Sequence, residues 1–118
     1  MESKHILSSF DDDLNKLNNN LLKLGNGALD QFEKCIINYG TQDLEDIEKV
    51  ISADKLLDDL DDKVQKNGFE IIALKAPQAA DLRRVIVALK IATILERIGD
   101  YSRNISNRTK LLIEMKYT

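Results

Sequence analysis

Two pairs of acidic residues carry the chemistry that this sequence offers, Asp54 with Asp58 and Glu96 with Asp100. Residues four apart share one face of an α-helix, so each pair sets two like charges side by side. Repulsion makes that arrangement unfavourable on its own, and a cation between the carboxylates makes it favourable. Four hard oxygen donors without thiolate or imidazole nearby suit Mg, Mn, Fe or Ca better than a closed zinc site. Chance is the plainer account for the first pair, since the acid-rich stretch around it also sets Asp58 four residues before Asp62. Glu96 and Asp100 resist that account because they stand in a basic stretch.

Catalysis has little support. The single His, His5, lies near the start and is expected to be solvated, and the single Cys, Cys35, reads as a small core residue. There is no Ser/His/Asp order and no Gly-rich phosphate loop. A carboxylate-bridged di-metal oxidase would need Glu-x-x-His motifs on a four-helix frame. The expectation is a protein that is not an enzyme.

The elements that must position the carboxylates are helices. Leu7, Phe10, Leu14, Leu17, Leu21, Leu24 and Ala28 recur at gaps of three and four, the seam of a bundle helix that fades near Tyr39. Gly40-Thr41-Gln42-Asp43 is a stop-and-start signal. Gly40 suits a left-handed cap, and Thr41 or Asp43 can accept from the free N–H groups of the next helix. That helix reads Ile47, Val50, Asp54, Leu57, Asp61, Val64, Gly68 and Ile71. Pro77 fits the first turn of a third helix, with Ala76 pushed out of the helical region. The third helix shows Leu82, Val85, Leu89 and Ala92 on one line and Ile91, Leu95, Ile98, Ile105 and Leu112 on another. Two apolar lines imply more than one packing neighbour. The chain is therefore expected to be one domain over 1–118, all-α, an up-down-up antiparallel three-helix bundle with helices near 4–39, 42–74 and 77–115.

Short turns fix the depth of each residue. Helices 2 and 3 fold back near Ala76–Pro77, so residues whose numbers add to about 153 lie level. Asp58 with Glu96 and Asp54 with Asp100 both meet that condition, which gathers four carboxylates into one layer. The first turn sets Asp54 near the level of Gly27, with Gly25 close by. Two glycines inside a helix each cost about 1 kcal/mol against Ala. Close helix packing or room at the carboxylate layer would offset that.

Composition narrows partners. The chain has 118 residues and a formal net charge of −3, with charge −2 over 1–42, −6 over 43–74 and +5 over 75–118. Such an acidic balance argues against nucleic-acid binding. No apolar run approaches the roughly 20 residues that span a bilayer. One Cys permits no intrachain disulfide and suits a reducing cytoplasm. Arg83, Lys90 and Arg97, seven apart, form either a basic stripe for a partner or for phosphate, or ion pairs with helix 2. Asp81 suits the positive end of the third helix.

Two blocks resemble the PhoU family, regulators accessory to phosphate transport. They are Ala76-Pro77-Gln78-Ala79-Ala80-Asp81-Leu82-Arg83 and Leu95-Glu96-Arg97-Ile98-Gly99-Asp100. His5 through Phe10-Asp11 to Leu14, then Leu21-Leu22-Lys23-Leu24-Gly25, and Asp54 followed by Leu57-Asp58, are similar to further family segments. The resemblance implies a three-helix repeat whose acidic motifs bind metal. Those motifs match Asp54, Asp58, Glu96 and Asp100. The ion implied is divalent or trivalent: iron, manganese, magnesium or zinc. It also implies a cytoplasmic negative regulator of phosphate uptake and starvation signalling. Its partners would be the ATPase subunit of the phosphate ABC transporter and a sensor histidine kinase. Family members usually carry two repeats in tandem and this chain carries one, resembling the first. It is expected to pair with itself as a homodimer. The competing expectation is a metal-free helical interaction module, or one repeat detached from a larger protein.

Overall fold

Apolar spacing of three and four, with Gly and Pro scarce, yields three long helices. The computed structural model describes residues 2–116, with side chains described from Ser9 onward. The seam position Leu7 and His5 lie outside the described side chains. Helix α1 spans Glu2–Thr41, α2 spans Leu44–Lys75 and α3 spans Ala79–Lys116. Each helix packs against the other two. The two tight connections make neighbours antiparallel, as expected, and give a rod of 70 × 19 × 16 Å. No helix among the described residues is long and apolar enough to cross a membrane.

The core divides along the rod. Leu14, Leu17 and Leu24 from α1, Leu57, Val64 and Ile71 from α2, and Val85, Ala88 and Ala92 from α3 form one apolar cluster. Beyond Ala92 the inward line of α3 turns small and polar, through Gly99, Ser102, Ser106 and Thr109. Ser102 and Thr109 return their hydroxyls to the carbonyls of Ile98 and Ile105, at 3.0 and 2.9 Å. Local bonds of this kind make a buried hydroxyl tolerable on a helix. Cys35 is fully buried at this end, its thiol on the carbonyl of Phe32 at 3.0 Å. Burial pushes that thiol's pKa up, which makes it inert.

Glycines serve close approach. A Cβ on Gly27 would come within 2.8 Å of Leu57 Cδ2, so the space beside Gly27 belongs to helix packing. Gly25 lies against α3, where a Cβ would stand 3.5 Å from Leu95 Cδ1.

Both turns differ in detail from the sequence expectation. Gly40 does not take the left-handed cap. The helix runs through it to Thr41, and Gln42 reverses the chain at φ 58°. The reason is the position of the next cap: Asp43, not Thr41, accepts the N–H of Asp46 at 3.2 Å. That bond leaves Gln42 as the residue between the two helices. At the second turn Ala76 leaves the helical region as expected, with φ 44°. Pro77, however, lies in the connection, because Ala79 also has a positive φ and α3 begins there.

Gly40 has open space where a Cβ would stand. Gly40→Ala is therefore expected to raise stability by about 0.5–1 kcal/mol, and Gln42→Gly by a similar amount through relief of the left-handed backbone. Denaturant melts test both. A Gly40→Ala loss of stability would restore the left-handed cap.

Candidate functional site

The four carboxylates meet midway along the α2–α3 interface. Asp54 enters it because its position on the α2 seam, between Val50 and Leu57, points inward. It is 5% exposed. Carboxylate oxygens of Asp54, Asp58 and Asp100 all lie within 4.8 Å of one another. Glu96, one turn before Asp100, shares hydrogen bonds with Asp100 and Asp58 when protonated. The depth expected from the turns is thus the depth found. Gln65 reports the same register elsewhere, donating across to the carbonyl of Leu89 at 3.1 Å.

Gly99 makes the room. It is buried on α3 facing α2, and a Cβ there would approach Leu57 Cδ1 to 2.8 Å and Asp54 Oδ1 to 3.6 Å. A side chain at this position would crowd the shelf on which Asp54 rests. The glycine in Leu95-Glu96-Arg97-Ile98-Gly99-Asp100 thus has a steric reason.

Arg103 completes the cluster and was not singled out from the sequence. Its Nη1 donates to Asp54 Oδ2 at 2.5 Å and lies 3.5 Å from Asp100 Oδ1. The available signal was its place three residues after Asp100, the spacing at which helical ion pairs form. The other α2–α3 ion pair among the described residues joins Lys110 to Glu48 at 2.6 Å. The Arg83, Lys90, Arg97 stripe makes none with α2; Arg83 Nε reaches only the Ala79 carbonyl at 3.5 Å. Tyr101 beside the site is exposed.

One arginine does not balance four carboxylates. Asp54 Oδ1 is buried and has no hydrogen-bond partner. Burial, then the charge of Asp58, pushes the Asp54 carboxyl up, while Arg103 pulls the other way. Burial likewise raises Asp61, against a bond from Gln65 at 3.2 Å. Glu96 goes furthest, from 4.5 to about 7, through burial and then its bonds to Asp100 and Asp58. The arrangement therefore holds a proton on Glu96 up to near neutrality.

The sign of the pH effect follows. Glu96 ionises near 4.5 in the unfolded chain and near 7 in the fold. Between those values the folded state keeps a proton that the unfolded state gives up. This contribution is complete below 4.5 and is lost as pH rises through 7. The melting temperature of the chelator-treated protein is expected to fall between pH 5 and pH 8, and Glu96→Gln to flatten that fall. An unchanged pH slope in the variant would contradict the shared proton.

The PhoU domain family model matches residues 21–109. The chain is 34% identical, over 95% of its length, to a phosphate-specific transport system accessory protein PhoU homolog of Caulobacter vibrioides. Proteins of the same description from Xylella fastidiosa and Clostridium acetobutylicum are 32% and 34% identical over 94% and 87% of the chain. The matches cover 49%, 47% and 48% of those three proteins, so the chain spans about half the length of the curated relatives it matches.

Proposed function

The chain belongs to the PhoU family, and from that premise we propose that it regulates phosphate homeostasis as a metal-binding accessory of phosphate transport. It restrains phosphate uptake and starvation signalling by linking the ATPase subunit of the transporter to a sensor histidine kinase in the cytoplasm. It acts as one member of a pair of bundles. The reading is regulatory, and no reaction is assigned to the site.

The observation that carries the metal is the orphaned oxygen. Asp54 Oδ1 is buried without a partner in a cluster where three carboxylates come within 4.8 Å. A buried acceptor left unpaired costs about 1–3 kcal/mol, more when charged. A hard cation held by Asp54, Asp58 and Asp100, with Glu96 alongside, removes that cost and the repulsion together. The all-oxygen donor set suits iron, manganese or magnesium before zinc. When bound, such an ion supplies charge that pins α2 to α3 and stiffens the surface a partner would meet.

Arg103 favours the alternative, a metal-free helical module, because its guanidinium already stands where a cation would bring positive charge. The two readings part experimentally. Under the first, Arg103→Ala frees Asp54 Oδ2 and raises affinity for Mn²⁺ or Fe³⁺. Asp54→Asn with Glu96→Gln lowers it by at least about tenfold, the scale of a lost charge-assisted ligand. Elemental analysis of tag-free protein and titration calorimetry measure both. Metal content unaffected by the double substitution would leave the metal-free module. The transport role is tested in the source cell, where loss of the chain is expected to raise phosphate uptake under phosphate-replete growth; unchanged uptake would refute it.

A further inference from the structure

Arg103 holds the carboxylate layer loosely. Its hydrogen bond to the acids comes from Nη1 alone, on Asp54 Oδ2 at 2.5 Å, with Asp100 Oδ1 at 3.5 Å. An arginine that grips a carboxylate firmly uses two parallel N–H groups. The two oxygens of Asp54 are instead treated differently. Oδ2 carries the guanidinium, and Oδ1 has no hydrogen-bond partner. Among the described residues no other basic side chain pairs with Asp54, Asp58, Glu96 or Asp100.

The two partners differ in their freedom to leave. The Arg103 side chain is 38% exposed and that of Asp54 only 7%. The guanidinium can turn outward from α3 and regain hydration. The Asp54 carboxylate cannot follow, because its seam position between Val50 and Leu57 keeps it inside. A buried carboxylate stripped of its cation carries the full cost of an unpaired charge. Arg103 therefore leaves the layer only in exchange for another cation.

We propose that Arg103 is a tethered counter-ion, displaced when a metal binds, and that it sets the affinity an ion needs to enter the layer. It rests on the metal-binding reading of the same carboxylates. Turning Arg103 outward costs the same whichever ion arrives. Arg103 therefore lowers every affinity by one common factor and does not reorder the ions. Weakly held ions fall out of the range in which they occupy the site, and strongly held ions remain. Mg²⁺ belongs with the first, since it dehydrates reluctantly and demands near-ideal octahedral geometry. The opposite arrangement keeps Arg103 on Asp54 Oδ2 while the metal takes Oδ1. Its penalty is a repulsion that grows with the charge of the ion. The two arrangements leave different signatures.

Titration calorimetry of the chelator-treated whole chain with Mg²⁺, Mn²⁺ and Tb³⁺ separates them. Arg103→Ala is expected to tighten all three by the same factor, roughly 10- to 100-fold, the scale of a hydrogen bond to a charged group. Arg103→Lys returns a tethered charge and is expected to undo most of that gain. If Arg103→Ala loses helicity without metal, Arg103→Gln keeps a neutral donor and carries the same comparison. Phenylglyoxal labelling, read by peptide mass spectrometry, gives a second readout. Arg103 is expected to react faster once Mn²⁺ is bound. A gain larger for Tb³⁺ than for Mn²⁺, or labelling that Mn²⁺ leaves unchanged, would overturn displacement. Equal affinities in wild type and Arg103→Ala would overturn the role of Arg103 and leave the metal reading standing. No binding of any ion to either protein would overturn the metal reading, and this role with it.

Discussion

Like charge gathered at one depth of a narrow bundle is the constraint to which the rest of the structure answers. Two carboxylates about 4 Å apart repel by roughly 4 kcal/mol in surroundings typical of a protein surface, and here oxygens of three acids lie within 4.8 Å with a fourth acid bonded beside them. Such a cluster persists only when positive charge is supplied. The bundle provides Arg103 on Asp54 and Asp100, and it raises Glu96 until that residue keeps a proton near neutrality. The remaining deficit is located, at Asp54 Oδ1, which has neither proton donor nor solvent. Location matters more than total charge, because an orphan oxygen defines where an added cation gains most.

The layer also sits at a mechanical boundary. On one side lies the leucine-rich cluster from Leu14 to Val85. On the other the inward residues of α3 are Ser102, Ser106 and Thr109, and Asn38 and Cys35 face them from α1. Small side chains bury less apolar area and so hold helices together less strongly. Asn38 Nδ2 and Ser106 Oγ are buried there without partners. Ile47 and Val50 of α2 supply the large apolar side chains buried at this end. Charge neutralisation at the boundary would tie α2 to α3 between the two ends.

The layer was legible in the sequence because two short turns and a constant rise per residue leave little freedom in register. Numbering from Ala76–Pro77 was enough to bring Asp58 level with Glu96. The all-α bundle followed from the same spacing. What escaped was decided by contacts rather than by period. Gly40 looked like the cap residue because glycine adopts left-handed backbone most readily. The side chain of Asp43, by capping α2, moved the reversal to Gln42. Pro77 looked like a helix start, yet two positive φ values flank it. Arg103 was hidden among arginines spread around α3, since its partner Asp54 is 49 residues away.

Helix α3 shows why its composition reads as mixed while its structure does not. It has three surfaces to serve on one circumference. The first faces the core, as valine and alanine at one end and serine and threonine at the other. The second faces α2 and carries Glu96, Asp100 and Arg103. The third carries Ile91, Ile94, Ile98 and Tyr101 outward beside α1. Three faces on a helix of 3.6 residues per turn leave little circumference for a solvated stripe. Ile91 and Ile94 are only partly covered, 40% and 55% exposed, so they gain less from burial than the core residues do. The same helix thus holds the carboxylate layer on one side and the apolar face on another.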